Sequence, residues 1–379
     1  MTSYRGITWD HPRGRDALRA AAARERSAGS GLDIVWDAHS LEHFESHPID
    51  DLAERYDLIV LDHPHLGEAL ELGSLRPIDD VVSAAQLERW AGEAVGPSFA
   101  SYEVAGRQWA LPLDAATQVS VRRADLCPAE PGTWDEVEAL SRSVPVVLSL
   151  AGPHAFLTFA SMCVAFGSAF DDDVVGTEVL DRMRSIAARA PRDAETQNPI
   201  ALLERMTDTA DIAYVPLVYG YVNYSSPTVR FADAPAAVAG GRLGSTIGGT
   251  GLALSRRCEV TPELVHHIEW LMSSEAQVGF IPAHAGQPST RTAWLDDAVN
   301  GAAHGFYRST LATIEDSWVR PRYSGYIRFQ ADASAIIRDA LSGELTIPSA
   351  LAALRAASPD PSLPVGVAAQ HPQKVTEQW

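Results

Sequence analysis

Apolar and polar positions along the first 65 residues repeat one unit three times. Short bulky runs at Gly6-Ile7-Thr8-Trp9, Asp33-Ile34-Val35-Trp36 and Leu58-Ile59-Val60-Leu61 each stop at an aspartate with a histidine close by. The endings are Asp10-His11, Asp37-Ala38-His39 and Asp62-His63-Pro64-His65. Residues 16–27 and 41–55 between them are long enough for helices, so the pattern predicts strand, helix, strand, helix, strand. Such crossovers give parallel strands, and ligands of open parallel sheets bind outside the carboxyl ends of the strands. The Asp and His residues, with Trp9, fall at those ends.

Further along, the pattern predicts a short helix at 67–73, a helix at 84–94, and a hairpin over 102–114 turning at Gly106 and leading into an extended segment at 118–122. A second α/β region follows. It has a helix at 134–143 behind the cap Thr133, a strand at 146–150 and an apolar helix at 156–166. Another helix is expected at 178–190, one opens at Asn198-Pro199, and a strand and aromatic loop occupy 213–224. In the Gly-rich stretch 244–255 the glycines precede an apolar strand, the reverse of a dinucleotide-binding fingerprint. Thr261-Pro262 reads as the start of a helix reaching about 277, and long helices are expected at 296–313, 326–341 and 348–357. The order is therefore α/β, α/β, Gly-rich strand, helices.

Composition narrows the chemistry. A length of 379 residues predicts two domains, and a net charge of -19 disfavours nucleic-acid and membrane-surface partners. The single lysine, Lys374, lies in the polar tail, which removes P-loop and Schiff-base chemistry from the folded body. Cys127, Cys163 and Cys258 are scattered without metal or redox spacing, and no HExxH pattern or tight ligand cluster occurs. No metal and no cofactor are expected. Nothing before the first strand reads as a leader and no run suits a membrane span, so the expected location is cytoplasmic as written, or periplasmic or extracellular if the sequence is a processed form.

Candidate chemistry sits in several places. Asp10, Asp37 and Asp62 either bind ligand hydroxyls or cap the following helices. His11, His39 and His63 supply recognition or acid–base work, with His63 and His65 on one face of a proline-stiffened extended segment. Tyr219 and Tyr221 share one strand face as a stacking platform, with Tyr224 beside them, or else form a half-buried aromatic edge. Gly248 and Gly249 bring backbone close to a ligand or mark a bend. Asp114 lies where the chain crosses between regions. In Arg320-Pro321-Arg322-Tyr323, Arg322 and Tyr323 are the candidates.

In its order of motifs the chain resembles the bacterial solute-binding proteins of ABC importers, extracellular family 1, which includes maltose-binding protein. The residues that carry this are Tyr56-Asp57-Leu58-Ile59-Val60 with Gly73-Ser74-Leu75-Arg76-Pro77-Ile78-Asp79, the 106–112 hairpin, Thr133-Trp134-Asp135-Glu136-Val137, the 248–255 return, and 263–282 with Glu275-Ala276-Gln277. The resemblance implies an α/β, two-domain periplasmic-binding-protein-like (type II) fold with a hinge and an interdomain cleft. Its first domain would take 1–115 and 243–298, its second 116–242 and 299–366, with 367–379 as a tail. It implies a small polar ligand, hinge closure, and an ABC permease as partner if the chain is exported. The alternative is a cytoplasmic lyase or hydrolase on the same fold, using His11 with Asp10 and His63 with Asp62 as acid and base.

Overall fold

The computed structural model describes residues 2–168 and 172–358; the expected tail and the last residues assigned to the second domain lie outside them. Strands β1 (Thr2–Trp9), β2 (Leu32–His39) and β3 (Leu58–Leu61) are parallel, with β1 in the middle and in register with β2 from Thr2↔Leu32 to Trp9↔His39. Strand β4 (Leu75–Arg76) is short, and β5 (Glu103–Val104) with β6 (Arg107–Gln108) forms the hairpin at Gly106, whose φ of 71° suits glycine. The thirteen-residue β7 (Leu111–Arg123) then runs through the molecule, followed by β8 (Tyr214–Tyr219), β9 (Val229–Ala232) and β10 (Ile247–Ser255). The sheet order is β2-β1-β3-β10-β7-β8, with β4 on β10 and β9 on β7.

Two strands tie the halves together. The first part of β7 pairs with β10, which itself pairs with β3; the second part pairs with β8 and β9. Alongside, Trp318 exchanges backbone hydrogen bonds with Ser245 and Ile247. This gives three crossing segments.

Helix α1 (Pro12–Ala28) covers one face of β1 and β2 with Ala17, Leu18 and Ala21; α2 (Leu41–Ser46) follows β2. On the other face lie α3 (Ile49–Arg55) and α4 (Leu66–Glu71), through Ile49, Leu52, Leu66 and Ala69. Helix α5 (Ala84–Glu93) comes before the hairpin. In the second half α6 (Trp134–Leu140), α7 (His154–Ala165) and α8 (Asp173–Ala187) build one core with later helices, while α9 (Pro199–Asp208) packs on the opposite side. After α10 (Pro262–Leu271) come α11 (Ile281–Ala283), α12 (Arg291–Leu295), α13 (Asp297–Ala302), α14 (Phe306–Ser309) and α15 (Leu311–Glu315). The helices α16 (Tyr326–Ser342) and α17 (Ile347–Ala357) complete the second core through Phe329, Ile337 and Leu351.

Several sequence expectations change. Residues 41–55 form two helices because Pro48 interrupts the ladder. Residues 146–150 form no ladder, and Val146 makes a lone bridge to Tyr214. The helix from Thr261 ends at Leu271, and a π-helical turn follows at Glu275–Phe280. The expected long helix at 296–313 is three short ones, α13 to α15, with a break where His304 (φ 52°) and Gly305 (φ 82°) turn the chain through left-handed backbone. Among the described residues no helix is long and apolar enough to cross a membrane.

Candidate functional site

The carboxyl ends of β1 and β3 meet the second half of the molecule, where Arg13 just after β1 bonds to Gly220 and Asp62 just after β3 bonds to Arg320. At the end of β1, Trp9 stacks on His11 at 5.2 Å, and Tyr221 meets both edge-on at 5.9 and 5.2 Å. Phe44 from α2 lies 5.9 Å from Trp9. Gly14 makes room for the indole, since a Cβ there would overlap its Nε1 edge. His11, not Asp10, caps α1: its Nδ1 accepts from the Arg13 N–H at 3.1 Å. Burial, with Arg13 and Arg15 near, lowers His11 to about 4, so the ring is neutral at pH 7. Its Nε2 lies 3.5 Å from the Tyr224 hydroxyl, which also donates to Glu204.

Behind this wall Arg13 spans both halves. It donates to both carboxylate oxygens of Asp114 on β7, at 2.6 and 2.5 Å, and to the Gly220 carbonyl at 2.9 Å, with its guanidinium 4.7 Å from the Tyr221 ring. Gln287 does the same beside it: its amide donates to Ala115 O at 2.7 Å and its oxygen accepts from Val222 N–H at 3.1 Å.

At the end of β3 the site is polar. Asp62 accepts from the His63 N–H at 2.8 Å and from Arg320, a guanidinium of the second half that also donates to Gln330 at 3.2 Å. Burial alone would raise the Asp62 carboxyl, but Arg320 and His63 outweigh it and hold it well below the usual range. The His63 ring is fully enclosed. Its Nδ1 is 3.0 Å from Asp62, close enough for attraction but out of line for a hydrogen bond, and its Nε2 has no partner. Tyr219 Oη, Tyr326 Oη and Arg320 Nε are also buried without a hydrogen-bond partner. His154, at the start of α7, lies 5.9 Å from the Tyr219 ring and 3.2 Å from Glu45 of α2. An unmade hydrogen bond at a buried group costs roughly 1–3 kcal/mol. Such groups, drawn from both halves, leave donors and acceptors free for a polar partner.

The structure thus brings together Trp9, His11, Asp62, His63, Tyr219, Tyr221 and Tyr224, with Asp114 behind them. Other candidates stand apart. Asp10 is exposed and paired with Arg15. Asp37 lies inside β2, two residues before its end, and is held by Arg5 at 2.8 Å on the outer face. His39 ends β2 edge-on to Phe44 at 6.2 Å, and burial lowers it to about 4. His63 and His65 lie in a 3-10 turn begun by the Asp62 cap, not in an extended segment, so they do not share a face as expected. Tyr219 and Tyr221 also part company: β8 ends at Tyr219, which faces the polar cluster, while Tyr221 joins the aromatic wall. Gly248 and Gly249 sit against protein. A Cβ on Gly248 would meet the Tyr219 ring, and Gly249 (φ 93°) crowds the Asp114 carbonyl. Arg322 is half-buried under the influence of Glu103, and Tyr323 packs on Tyr326 at 5.4 Å.

Sequence reasoning missed Arg13, Glu45, His154, Gln287 and Tyr326, and chose Arg322 over Arg320. Each reads as an ordinary helix or loop residue; the one usable signal was the close succession of Arg320 and Arg322 around a proline.

No protein-family model matches the chain. It is similar to a maltotriose-binding protein of Pyrococcus abyssi at 23% identity, with 43% of this chain and 42% of that protein covered. The match therefore spans less than half of that relative. An ABC-transporter solute-binding protein from Agrobacterium radiobacter K84 in complex with ribitol superposes with a TM-score of 0.78 at 19% identity, over 94% of this chain and 97% of that one. The chain has the two-domain fold of the ABC-transporter solute-binding proteins. Maltose-bound MalE3 of T. maritima shares this fold with a TM-score of 0.77 at 16% identity, over 93% and 97% of the two chains. A solute-binding protein from Agrobacterium vitis S4 with bound D-mannitol shares it at 0.73 and 17%, over 93% and 96%.

Proposed function

We propose that this chain is a solute-binding protein of the ABC-importer type that closes on a sugar or polyol and hands it to a permease. Residues 1–115 and 243–298 would form one jaw and 116–242 with 299–366 the other, the ligand lying between them. The observation that carries this reading is the set of buried, unpartnered polar atoms on His63, Tyr219, Arg320 and Tyr326, drawn from both jaws. The ribitol, mannitol and maltose held by proteins of the same fold support the ligand class. Trp9 and Tyr221 would supply apolar faces for a sugar ring, and Asp62 and His63 its hydroxyl contacts. If the chain works outside the cytoplasmic membrane, its partner is a permease of matching specificity.

Titration calorimetry against a panel of sugars and polyols, followed by chromatography of the recovered compound, is the direct test. A compound that binds and returns unchanged is expected; conversion to product would move the chain to the acid–base reading with His63 and Asp62. Tyr219→Phe removes a hydroxyl that has no protein partner. It is expected to weaken binding by about 1–1.5 kcal/mol, roughly tenfold, and to leave unfolding by urea unchanged or slightly improved. Equal affinity in the variant would remove Tyr219 from the site.

A further inference from the structure

Asp62 decides what its neighbours in the buried polar cluster can offer. One of its carboxylate oxygens accepts from the His63 backbone N–H at 2.8 Å, and the other accepts from Arg320 Nη2. The terminal nitrogens of that guanidinium are occupied: Nη1 donates to Gln330 at 3.2 Å, and Nη2 also reaches the Ile247 carbonyl at 3.3 Å. Among the described residues its Nε has no partner, and this N–H can only donate. The His63 ring is the counterpart. Its Nδ1 lies 3.0 Å from Asp62, where the carboxylate repels a lone pair and attracts an N–H. The proton therefore sits on Nδ1, and Nε2 can only accept. The hydroxyls of Tyr219 and Tyr326, likewise unpartnered, lie within the influence of both Asp62 and Arg320.

Charge is balanced as well. Arg320 cancels Asp62, and burial, with Arg320 next, lowers His63 to about 4, so its ring is neutral at pH 7. Further out, Glu45 acts on Tyr219 and Arg322 on His63, one charge of each sign. A carboxylate, phosphate or ammonium group brought here finds no counter-charge left over, and an unpaired charge in a buried site is costly. Hydrogen bonding selects in the same direction. An ionised acid has no proton to give His63 Nε2, an ammonium has no lone pair for Arg320 Nε, and a hydroxyl has both.

We propose that Asp62 is the specificity-determining residue of this site: by engaging Arg320 and the His63 ring it leaves one fixed donor and one fixed acceptor in a balanced cluster, which takes hydroxyl groups and rejects acidic and amino sugars. This rests on the sugar or polyol reading above. It concerns charge alone and holds for one sugar unit or for several.

The experiment is calorimetry on the full chain at pH 7 with neutral compounds and their acids: ribitol with D-ribonate, D-mannitol with D-mannonate, D-glucose with D-gluconate, and maltose with maltobionate. D-glucosamine is added as the amine. For every neutral compound that binds, its acid is expected to bind about 100-fold or more weakly, and D-glucosamine about 100-fold or more weakly than the best neutral compound. A smaller gap for the acids or the amine overturns the charge rule and leaves the sugar reading standing; binding by none of the compounds overturns both. Asp62→Asn and Arg320→Gln supply the second arm. The first leaves a positive charge behind and the second a negative one. Asp62→Asn is expected to narrow the gap between the neutral compound and its acid by about tenfold or more, and Arg320→Gln to do the same for D-glucosamine. A merely structural loss would weaken all compounds alike, so gaps that stay as in the parent overturn the role of Asp62. Where a variant fails to fold, the other variant and the parent panel decide.

Discussion

Lowering the pH from 7 to 4.5 is expected to remove several kcal/mol of folding stability. Burial leads the causes that bring His63 and His65 down to about 4, and both rings are fully enclosed. An unfolded imidazole titrates near 6.5. Between these values the unfolded chain binds protons that the folded chain refuses, so stability falls as the pH falls. The contribution is complete above about 6.5 and is lost progressively down to about 4, at roughly 2–3 kcal/mol for each enclosed ring. His11 and His39 titrate in the same window and contribute less, because water reaches them more readily. Urea unfolding followed at pH 7, 6, 5 and 4.5 should show a steepening loss, and His65→Gln should flatten it. A midpoint that does not move over this range would mean the rings are hydrated. Ligand affinity should hold over most of this range, since His63 in the folded chain stays largely neutral until the pH nears 4.

Replacing Arg13 by methionine is expected to destabilise the chain by about 3–5 kcal/mol, the usual cost of leaving a buried charge without its partner. Asp114 is 5% exposed, burial pushes its carboxyl up, and the opposing influence is Arg13 alone. The variant also takes away the Gly220 contact and the cation over Tyr221, so the aromatic wall should loosen with the hinge. Removing the second charge as well, in Arg13→Met with Asp114→Leu, should recover a good part of the loss, because an apolar pair of similar volume can replace a buried ion pair. Equilibrium unfolding in urea measures both. A loss below about 1 kcal/mol in the single variant would show that water reaches Asp114, and the hinge would have to be held by something else.

The parallel βαβαβ unit was legible because its strands are apolar runs of fixed length between amphipathic stretches, and each half of that signal is local. The same holds for the hairpin at Gly106 and for Thr133 as a cap, where the structure adds the reciprocal bond from Glu136. What stayed hidden depends on distant partners. Arg13 reads as a surface arginine until β7 brings Asp114 beside it, a hundred residues later. Asp37 looked equivalent to Asp10 and Asp62, yet β2 continues to His39, and the alternation of strand faces turns Asp37 outward toward Arg5. Proline between His63 and His65 suggested extension, but once Asp62 caps the turn the same proline favours a tight helical start. The parallel unit was therefore readable from periodicity and the two-domain fold from the resemblance in motif order, while the opposite wall of the site, Arg320 with Tyr326 and His154, was set by packing that no short window contains.

The strand that finishes the first half arrives late. β3 pairs with β1 on one side and with β10 on the other, about 190 residues further along the chain. At a synthesis rate of roughly 5–20 residues per second, that edge stays open on the ribosome for about 10–40 s. For this interval the nascent chain presents Leu58, Ile59, Val60 and Leu61 as an unpaired template for any passing strand. Yield in a cell should therefore depend on how quickly β10 emerges and on what shields β3 meanwhile, even in variants whose finished structure is as stable as the parent.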